Sequence, residues 1–480
     1  MPRLSELLVP LLAEDPEIGG LTADSRQVRP GDLFAALPGN RVDGRDFIAD
    51  ALKRGARAVL APMGTGLTDA NVMLVTDTNP RRRFAQAAAR FYGQQPETIV
   101  AVTGTNGKTS IVNFTRQIWA KLGLPAASLG TLGLNAPGRI VPGSMTTPDP
   151  VTLHRTLHEL AHQGVTHAAM EASSHGLDQF RLDGVSVAAA AFTNLTRDHL
   201  DYHADMDAYW AAKRRLFTEV MPPRRVAVVN ADSPYAADLI AHCQTHGHRI
   251  ISYGEAGEAI KLLRIAPTAQ GQDIELSVMG AARRIRLPLA GTFQASNTLA
   301  ALGLVLGTGG DLDKAVNALE SLEGVPGRLQ NVAVTKKDAA IYVDYAHTPD
   351  ALATVLKALR PHAAGRLIAV FGCGGDRDPG KRPEMGKIAA DMADAVIVTD
   401  DNPRGEDPAV IRAAVMKGCP GAREIGDRHE AIVTAVRELN AGDVLLLAGK
   451  GHETGQIIKD KTLPFNDADE ARRAVAELGA

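Results

Sequence analysis

The stretch TIVAVTGTNGKTS at 98–110 constrains this chain more than any other. Its β-branched run, 98–103, reads as a strand, and the amphipathic run 110–123 reads as a helix. Small, glycine-bearing residues join the two. Strand, loop and helix in that order put backbone N–H groups at a helix N-terminus, where the helix dipole also attracts phosphate. Gly104 and Gly107 let the backbone approach an anion closely. Lys108 can reach β- and γ-phosphates, and the Thr109 hydroxyl can ligate Mg²⁺. The common spacing GxxxxGK[ST] would need glycine at 102, where Val102 stands. The loop instead fits the variant GTNGK[TS], drawn from Gly104, Thr105, Asn106, Gly107, Lys108, Thr109 and Ser110.

Similar alternation runs through the rest of the chain. Strands at 58–62 and 72–76, a helix at 47–56 and turn signals at 30–32, 38–40 and 43–44 form a small N-terminal α/β unit. Beyond the phosphate loop, strands are expected at 168–171, 187–194 and 225–230. A helix should follow the last of these, capped by Asp232 or Ser233 with Pro234 at its first position. The apolar stretch 287–310 reads as a loop and then a buried helix. Strands at 340–347, 366–372, 394–403 and 443–449 alternate with helices at 349–359, near 383–393 and from Asp407-Pro408, a second doubly wound pattern. The predicted fold class is therefore α/β in three domains: a small N-terminal unit over 1–93, a central P-loop ATPase-like parallel sheet with flanking helices over 94–325, and a doubly wound C-terminal domain over 326–480. A length of 480 residues suits roughly three domains.

Composition excludes several classes of function. Lys+Arg 52 against Asp+Glu 55 leaves a net charge of −3, which argues against a nucleic-acid binder. The three cysteines, Cys243, Cys373 and Cys419, are far apart and form no CxxC, so neither a disulfide framework nor a zinc cluster is expected, and a reducing cytoplasm fits. The N-terminal apolar run is split by Pro10 and followed by acids, unlike a signal peptide, and no stretch reads as a membrane span. The expected partners are small molecules, and the expected state is a monomer.

The loop does not stand alone. DSRQVRPGDLF (24–34), TTPDP (146–150), MEASSHGL (170–177), FTNLTRDHLDYH (192–203), YWAAKRRLF (209–217), FQASNTLAA (293–301), GRLQ (327–330), DYAHTPDAL (344–352), FGCGGDRDPGKRP (371–383), DNPRGEDP (401–408) and GKGHE (449–453) follow in order. Across nearly its whole length the chain resembles the Mur ligase superfamily, which joins a carboxylate to an amine at the expense of ATP. The resemblance is closest to the branch adding meso-2,6-diaminopimelate to the D-Glu γ-carboxylate of UDP-N-acetylmuramoyl-L-Ala-D-Glu. It implies a cytoplasmic, Mg²⁺-dependent step of peptidoglycan precursor synthesis that proceeds through an acyl phosphate.

The resemblance also implies roles for residues. Lys108, Glu171, His199 and Lys213 form the catalytic set, with Thr109, Glu171 and His199 on magnesium. Lys213 matches a lysine that the family carbamylates to N6-carboxylysine; Arg214, Arg215 and the metal would depress its pKa, favouring the neutral amine that carbamylation needs. His199 and His203 are also spaced i,i+4, but no HExxH pattern or cysteine ligand supports zinc. Asn297, Arg328, Asp344 and His347 match further nucleotide positions. Ala23, Ser25, Asn40, Arg41, Val42, Thr146, Thr147, Ser173, Gln179 and Arg181 match contacts to the UDP-linked substrate, with Met145 replacing a family asparagine. Arg377, Asp401, Asn402, Pro403, Arg404, Gly449 and Glu453 match the amino-acid pocket. There Arg404 can fork onto the distal carboxylate of diaminopimelate, while Asp401, Asn402 and Glu453 hold the ammonium. A lysine-adding ligase would leave Arg404 unpaired. A folylpolyglutamate synthetase would leave DSRQVRPGDLF unexplained, and a GTP switch would need an NKxD-type motif that is absent. A non-catalytic ATP-binding scaffold would have no use for Lys108, Glu171, His199 and Lys213 together.

Overall fold

The computed structural model describes residues 1–8, 15–39, 42–67, 72–143, 145–268 and 271–479. Two compact units divide the chain: Met1–Ser252 with Ala300–Asp311, and Tyr253–Leu299 with Leu312–Ala480.

The first unit opens with a parallel sheet of Leu21–Thr22, Leu33–Ala35, Ala58–Pro62 and Met73–Asp77, paired in chain order. Phe34 and Val59 belong to one buried cluster while Leu33, Ala35, Ala58 and Leu60 belong to another, as alternation along a strand requires. The helix Pro80–Tyr92 follows with Asn79 as its cap and proline at its start. The expected helix at 47–56 is shorter: a 3₁₀ turn over Gly44–Phe47 leads into Ile48–Lys53. Gly55, at φ 92, turns the chain away just beyond it.

The second sheet of this unit holds the phosphate loop. Val226–Asn230, Val187–Phe192, Thr98–Thr103, His167–Glu171 and Ala126–Gly130 lie side by side and parallel. Every residue of 99–103 is buried, so both faces of that strand are covered, as a parallel sheet demands. Gly133–Ala136 and Arg139–Val141 extend the edge antiparallel. The helix expected from Pro234 starts instead at Ala236. The Ser233 hydroxyl accepts the Tyr235 N–H at 3.4 Å, so Pro234 sits in the turn before the helix.

In the second unit, Ile260–Thr268, Gly271–Val278 and Ala281–Leu287 form an antiparallel meander. The helix Thr292–Gly307, which belongs to this unit as far as Leu299 and to the first unit from Ala300, occupies the stretch expected to be helical. The main sheet runs Gln330–Val334, Ala340–Asp344, Val444–Ala448, Leu367–Phe371, Ala395–Val398 and Arg423–Glu424, parallel except for its first strand. Leu367, Ala369 and Phe371 pack into one cluster and Ile368 and Val370 into another. Helices therefore bury both faces, and loops gather at the carboxyl ends of the strands, where α/β proteins bind ligands. Among the described residues no helix is long and apolar enough to cross a membrane.

Candidate active site

The phosphate loop follows from its glycines. The strand ends at Thr103, Gly104 takes φ 144, and Gly107 takes φ 90 as the N-cap of the helix Lys108–Lys121. A side chain at 104 would strike the Thr193 hydroxyl. Val102 lies wholly buried within the strand, which is why no glycine is needed there. Residues 193–196 brace the loop. The Thr193 hydroxyl donates to Asn106 O at 2.6 Å, the Asn106 N–H to Asn194 Oδ1 at 3.0 Å, and the Thr105 N–H to Asn194 O at 2.8 Å. Lys108 Nζ donates to Gly104 O and Thr105 O, both at 2.9 Å. Thr109 and Ser110 are buried at the start of the helix.

Lys213 reaches the same loop from the helix Met206–Arg215. Only 1% exposed, it donates from Nζ to Gly104 O at 2.8 Å and lies 4.4 Å from the centre of the Tyr209 ring. Burial, followed by the charge of Lys108, holds its amine well below the usual lysine range. The expected influence of Arg214 and Arg215 is not what does this. Arg215 is bound to Asp183 at 2.7 Å, and Arg214 faces His242 and Asp238.

Glu171 closes the neighbouring strand. It is 1% exposed, and its carboxylate accepts the Thr131 N–H at 2.8 Å and the Thr131 hydroxyl at 3.2 Å. Among the described residues no basic side chain pairs with it. A carboxylate buried without a counter-charge suits a bound cation, and its oxygens suit Mg²⁺. His199 is more open, with a 43% exposed side chain, φ 53, and Nε2 3.5 Å from Asp198 Oδ2. No group of three or more His, Cys, Asp or Glu able to hold a metal gathers among the described residues.

Hydroxyls link Glu171 to the expected substrate residues. Thr146 and Thr131 lie 3.0 Å apart through their hydroxyls. The Thr147 hydroxyl donates to Glu171 O and accepts from the Ser173 hydroxyl, each at 3.0 Å. Arg181 donates to Thr147 O and to Gln179 Oε1, both at 2.7 Å, and its Nη1 lies 3.6 Å from Met145 Sδ. Ala23, Gln179 and Arg181 line a cavity of about 920 Å³. Ser25 is buried and Val42 is exposed, while Asn40 and Arg41 lie outside the described residues. Arg26, Arg29, Arg81 and Arg155 also line this cavity. They were not singled out as site residues from the sequence, although Arg26 and Arg29 fall within DSRQVRPGDLF.

The second unit gathers the other expected residues. Asp344 ends its strand and accepts the N–H groups of Leu329 at 2.6 Å and Ala346 at 2.8 Å. Burial pushes its carboxyl up to about 6, against the pull of Arg328. Gln294 joins Asn297 to the Arg328 carbonyl, and His347 is held through Nδ1 on Tyr345 O at 2.8 Å. Asp401 is buried, which raises its pKa while Arg428 and Lys450 oppose. Pro403 is buried beside it, and Gly449 takes φ 112 with no room for a Cβ against Asp401 Oδ2. Arg404, at φ 51, donates from Nη1 to Gly375 O at 3.0 Å. Its Nε and Nη2, the edge that forks onto a carboxylate, have no protein partner among the described residues. Arg377 is exposed and borders the same glycine, Gly374, as Arg404.

One expected role changes. Asn402 Oδ1 already accepts from Lys450 Nζ at 3.0 Å and from the Ile457 N–H at 2.9 Å. Both lone pairs are used, so Asn402 has an N–H to offer and no acceptor for an ammonium. Lys450, wholly buried, was missed, because its acceptor Asn402 comes from a loop 48 residues away.

A glycine-built phosphate loop on one parallel sheet and a doubly wound second sheet define an ATP-site architecture shared with known ligases. Family models for the Mur ligase family catalytic domain, the Mur ligase middle domain and the Mur ligase glutamate ligase domain match residues 17–92, 102–305 and 327–451. The chain belongs to the Mur ligase family and has its three-domain fold. It is 56% identical over 462 residues to the UDP-N-acetylmuramoyl-L-alanyl-D-glutamate–2,6-diaminopimelate ligase of Rhizobium meliloti, covering 96% of this chain and 95% of that one. The ligase of the same name from Caulobacter vibrioides is 54% identical, covering 100% of this chain and 99% of that one. A solved 2,6-diaminopimelate ligase structure superposes with TM-score 0.78 at 36% identity, covering 100% of this chain and 99% of that one. A Mycobacterium tuberculosis folylpolyglutamate synthase complexed with ADP and AMPPCP shares the fold at TM-score 0.63 and 19% identity, covering 82% of this chain and 95% of that one.

Proposed function

We propose that this chain is an ATP-dependent amide ligase that adds meso-2,6-diaminopimelate to the D-Glu γ-carboxylate of UDP-N-acetylmuramoyl-L-Ala-D-Glu, as a cytoplasmic monomer. The observation that carries the ligase reading is the convergence of Lys108 and Lys213 on the Gly104 carbonyl. That places two lysine nitrogens on the loop where the phosphates would lie. The shared name of the relatives and the free fork of Arg404 favour diaminopimelate. The buried thiols of Cys243, Cys373 and Cys419 suit a reducing compartment.

A carboxylate is a poor electrophile because its leaving group would be oxide. Transfer of the γ-phosphoryl group makes an acyl phosphate, and the amine then attacks and expels phosphate. Loop N–H groups and Lys108 would hold the transferring phosphate. Thr109, Glu171 and His199 would hold Mg²⁺, which when bound neutralises phosphate charge. Lys213, its amine held well below the usual lysine range by burial, would in its neutral form react with carbon dioxide to give N6-carboxylysine and release a proton. The arginine-lined cavity, with Ala23, Ser25, Val42, Thr146, Thr147, Ser173, Gln179 and Arg181, would take the UDP-linked substrate, joined by Asn40 and Arg41. Asn297, Arg328, Asp344 and His347 would serve the nucleotide. Arg377, Asp401, Asn402, Pro403, Arg404, Gly449 and Glu453 would form the amino-acid pocket. We assign these roles to segments 1–93, 94–325 and 326–480. Phosphate release with the UDP-linked dipeptide and ATP tests the reading. Release should depend on meso-diaminopimelate and be far weaker with lysine, and equal release with both would overturn the assignment of the amino acid.

A further inference from the structure

We propose that Lys450 is a positioning residue for the amino-acid pocket: it selects which oxygen of Glu453 faces the ligand ammonium and anchors the hairpin that holds Arg404. This deepens the assignment of that pocket and rests on it. Lys450 is wholly buried, and its three N–H donors are all spent. They go to Asn402 Oδ1 at 3.0 Å, Glu453 Oε2 at 3.0 Å and Gly455 O at 2.7 Å. A saturated ammonium cannot bind substrate, so whatever Lys450 does is done through these partners.

Each partner is left with one orientation. An ammonium demands an oxygen, so the Asn402 amide must turn Oδ1 toward Lys450, and the Ile457 N–H demands the same. Asn402 Nδ2 then faces Glu453 Oε2, donating at 2.8 Å. Oε2 thus receives two donors, while Oε1 has no protein partner among the described residues. The Glu453 side chain is 30% exposed, so its open oxygen is available to a ligand ammonium. The third bond ties Lys450 to the hairpin Gly455–Ile458 and Lys461–Pro464. That hairpin holds Arg404, whose N–H donates to Ile457 O at 3.0 Å and whose carbonyl accepts the Lys459 N–H at 2.7 Å. One buried ammonium therefore orients both an acceptor for the ligand ammonium and the segment that carries the guanidinium.

The test compares Lys450→Met, Glu453→Gln and the double variant by steady-state kinetics, with thermal unfolding as a check on folding. Lys450→Met should raise KM for meso-diaminopimelate roughly tenfold to a hundredfold, the size of one charge-assisted hydrogen bond. KM for ATP should stay within about twofold, because the Lys450 ammonium bonds only Asn402, Glu453 and Gly455 and, among the described residues, shares no hydrogen-bond partner with the phosphate loop. Adding Lys450→Met to Glu453→Gln should cost much less than it does alone. An unchanged KM for meso-diaminopimelate in Lys450→Met, or full additivity in the double variant, overturns the proposal. An unchanged KM in Glu453→Gln would instead overturn the pocket assignment. Should Lys450→Met fail to fold, Lys450→Arg keeps the charge but cannot aim one nitrogen at three acceptors. It should show the same KM split in milder form, and a wild-type KM there would overturn the proposal.

Discussion

At the scale of single residues, two buried ionisable groups set conditions that local sequence could not show. Lys213 and Lys108 both place Nζ on one carbonyl oxygen. Burial first, and then the charge of Lys108, hold the Lys213 amine well below the usual lysine range. Lys213→Ala should lower turnover by ~100-fold or more, with small carboxylic acids restoring part of it by replacing the missing anion. Depleting bicarbonate should also slow the wild type; full activity of Lys213→Ala would reduce the residue to packing. Asp344 offers a test by pH. Burial pushes its carboxyl up to about 6 in the folded chain, from the ordinary 3.8 of an exposed aspartate. Between these values the folded chain holds more protons, so this residue's contribution to stability falls as pH rises through the window. His154, pushed down to about 4 by burial, acts in the opposite sense over nearly the same range. The informative quantity is therefore the difference in melting temperature between wild type and Asp344→Asn. Wild type should lose ground to the variant from about pH 4 to 6, and a constant difference would remove the effect.

At the scale of elements, legibility followed local chemistry. The strand Thr98–Thr103 and its loop could be read because β-branched residues, glycines and a helix start all fall within thirteen positions, 98–110. The hairpin at 133–141 and the meander over 260–287 were not anticipated. The strand Ala281–Leu287 carries three arginines, and only Ile285 and Leu287 in it are buried, too few for alternation to show. The first strands, Leu21–Thr22 and Leu33–Ala35, are too short for periodicity to show. Of the site, Lys108 and the residues on strand ends could be found, because strand ends are where parallel sheets bind ligands. Lys450 could not, since the partner that reveals its role, Asn402, lies 48 residues away, nor could Arg81 and Arg155, since the cavity they line is assembled from separate segments. The loop makes its own prediction. Lys108 lies at the junction of loop and helix and braces two loop carbonyls from there. Lys108→Ala should cut kcat by several orders of magnitude while shifting the melting temperature only slightly, as a transition-state contact would. Near-normal turnover measured by phosphate release would remove the phosphate-loop assignment.

At the scale of the whole molecule, the candidate residues fall in both compact units. The phosphate loop, Glu171, His199 and Lys213 belong to the first, and Asn297, Arg328, Asp344, His347, Asp401, Arg404 and Glu453 to the second. A change at Arg404 should alter amino-acid selection and leave nucleotide use nearly alone, because among the described residues Arg404 shares no hydrogen-bond partner with Lys108, Asp344 or His347. The Arg404 backbone is held at φ 51 by the hairpin, and Nη1 is occupied by Gly375 O. The remaining guanidinium edge is thus aimed by the fold rather than by a ligand. A forked arginine–carboxylate contact is worth about 1.5–3 kcal/mol, or roughly tenfold to a hundredfold in affinity. Arg404→Ala should raise KM for meso-diaminopimelate by that factor and leave KM for ATP nearly unchanged. Lysine, which has no distal carboxylate, should gain relative to diaminopimelate once the unpaired guanidinium is gone. Arg404→Lys should rescue poorly, since an ammonium cannot form the fork. Steady-state kinetics with both amino acids decides the matter. An unaltered preference in Arg404→Ala would move recognition of the distal carboxylate to Arg377, the other guanidinium beside Gly374.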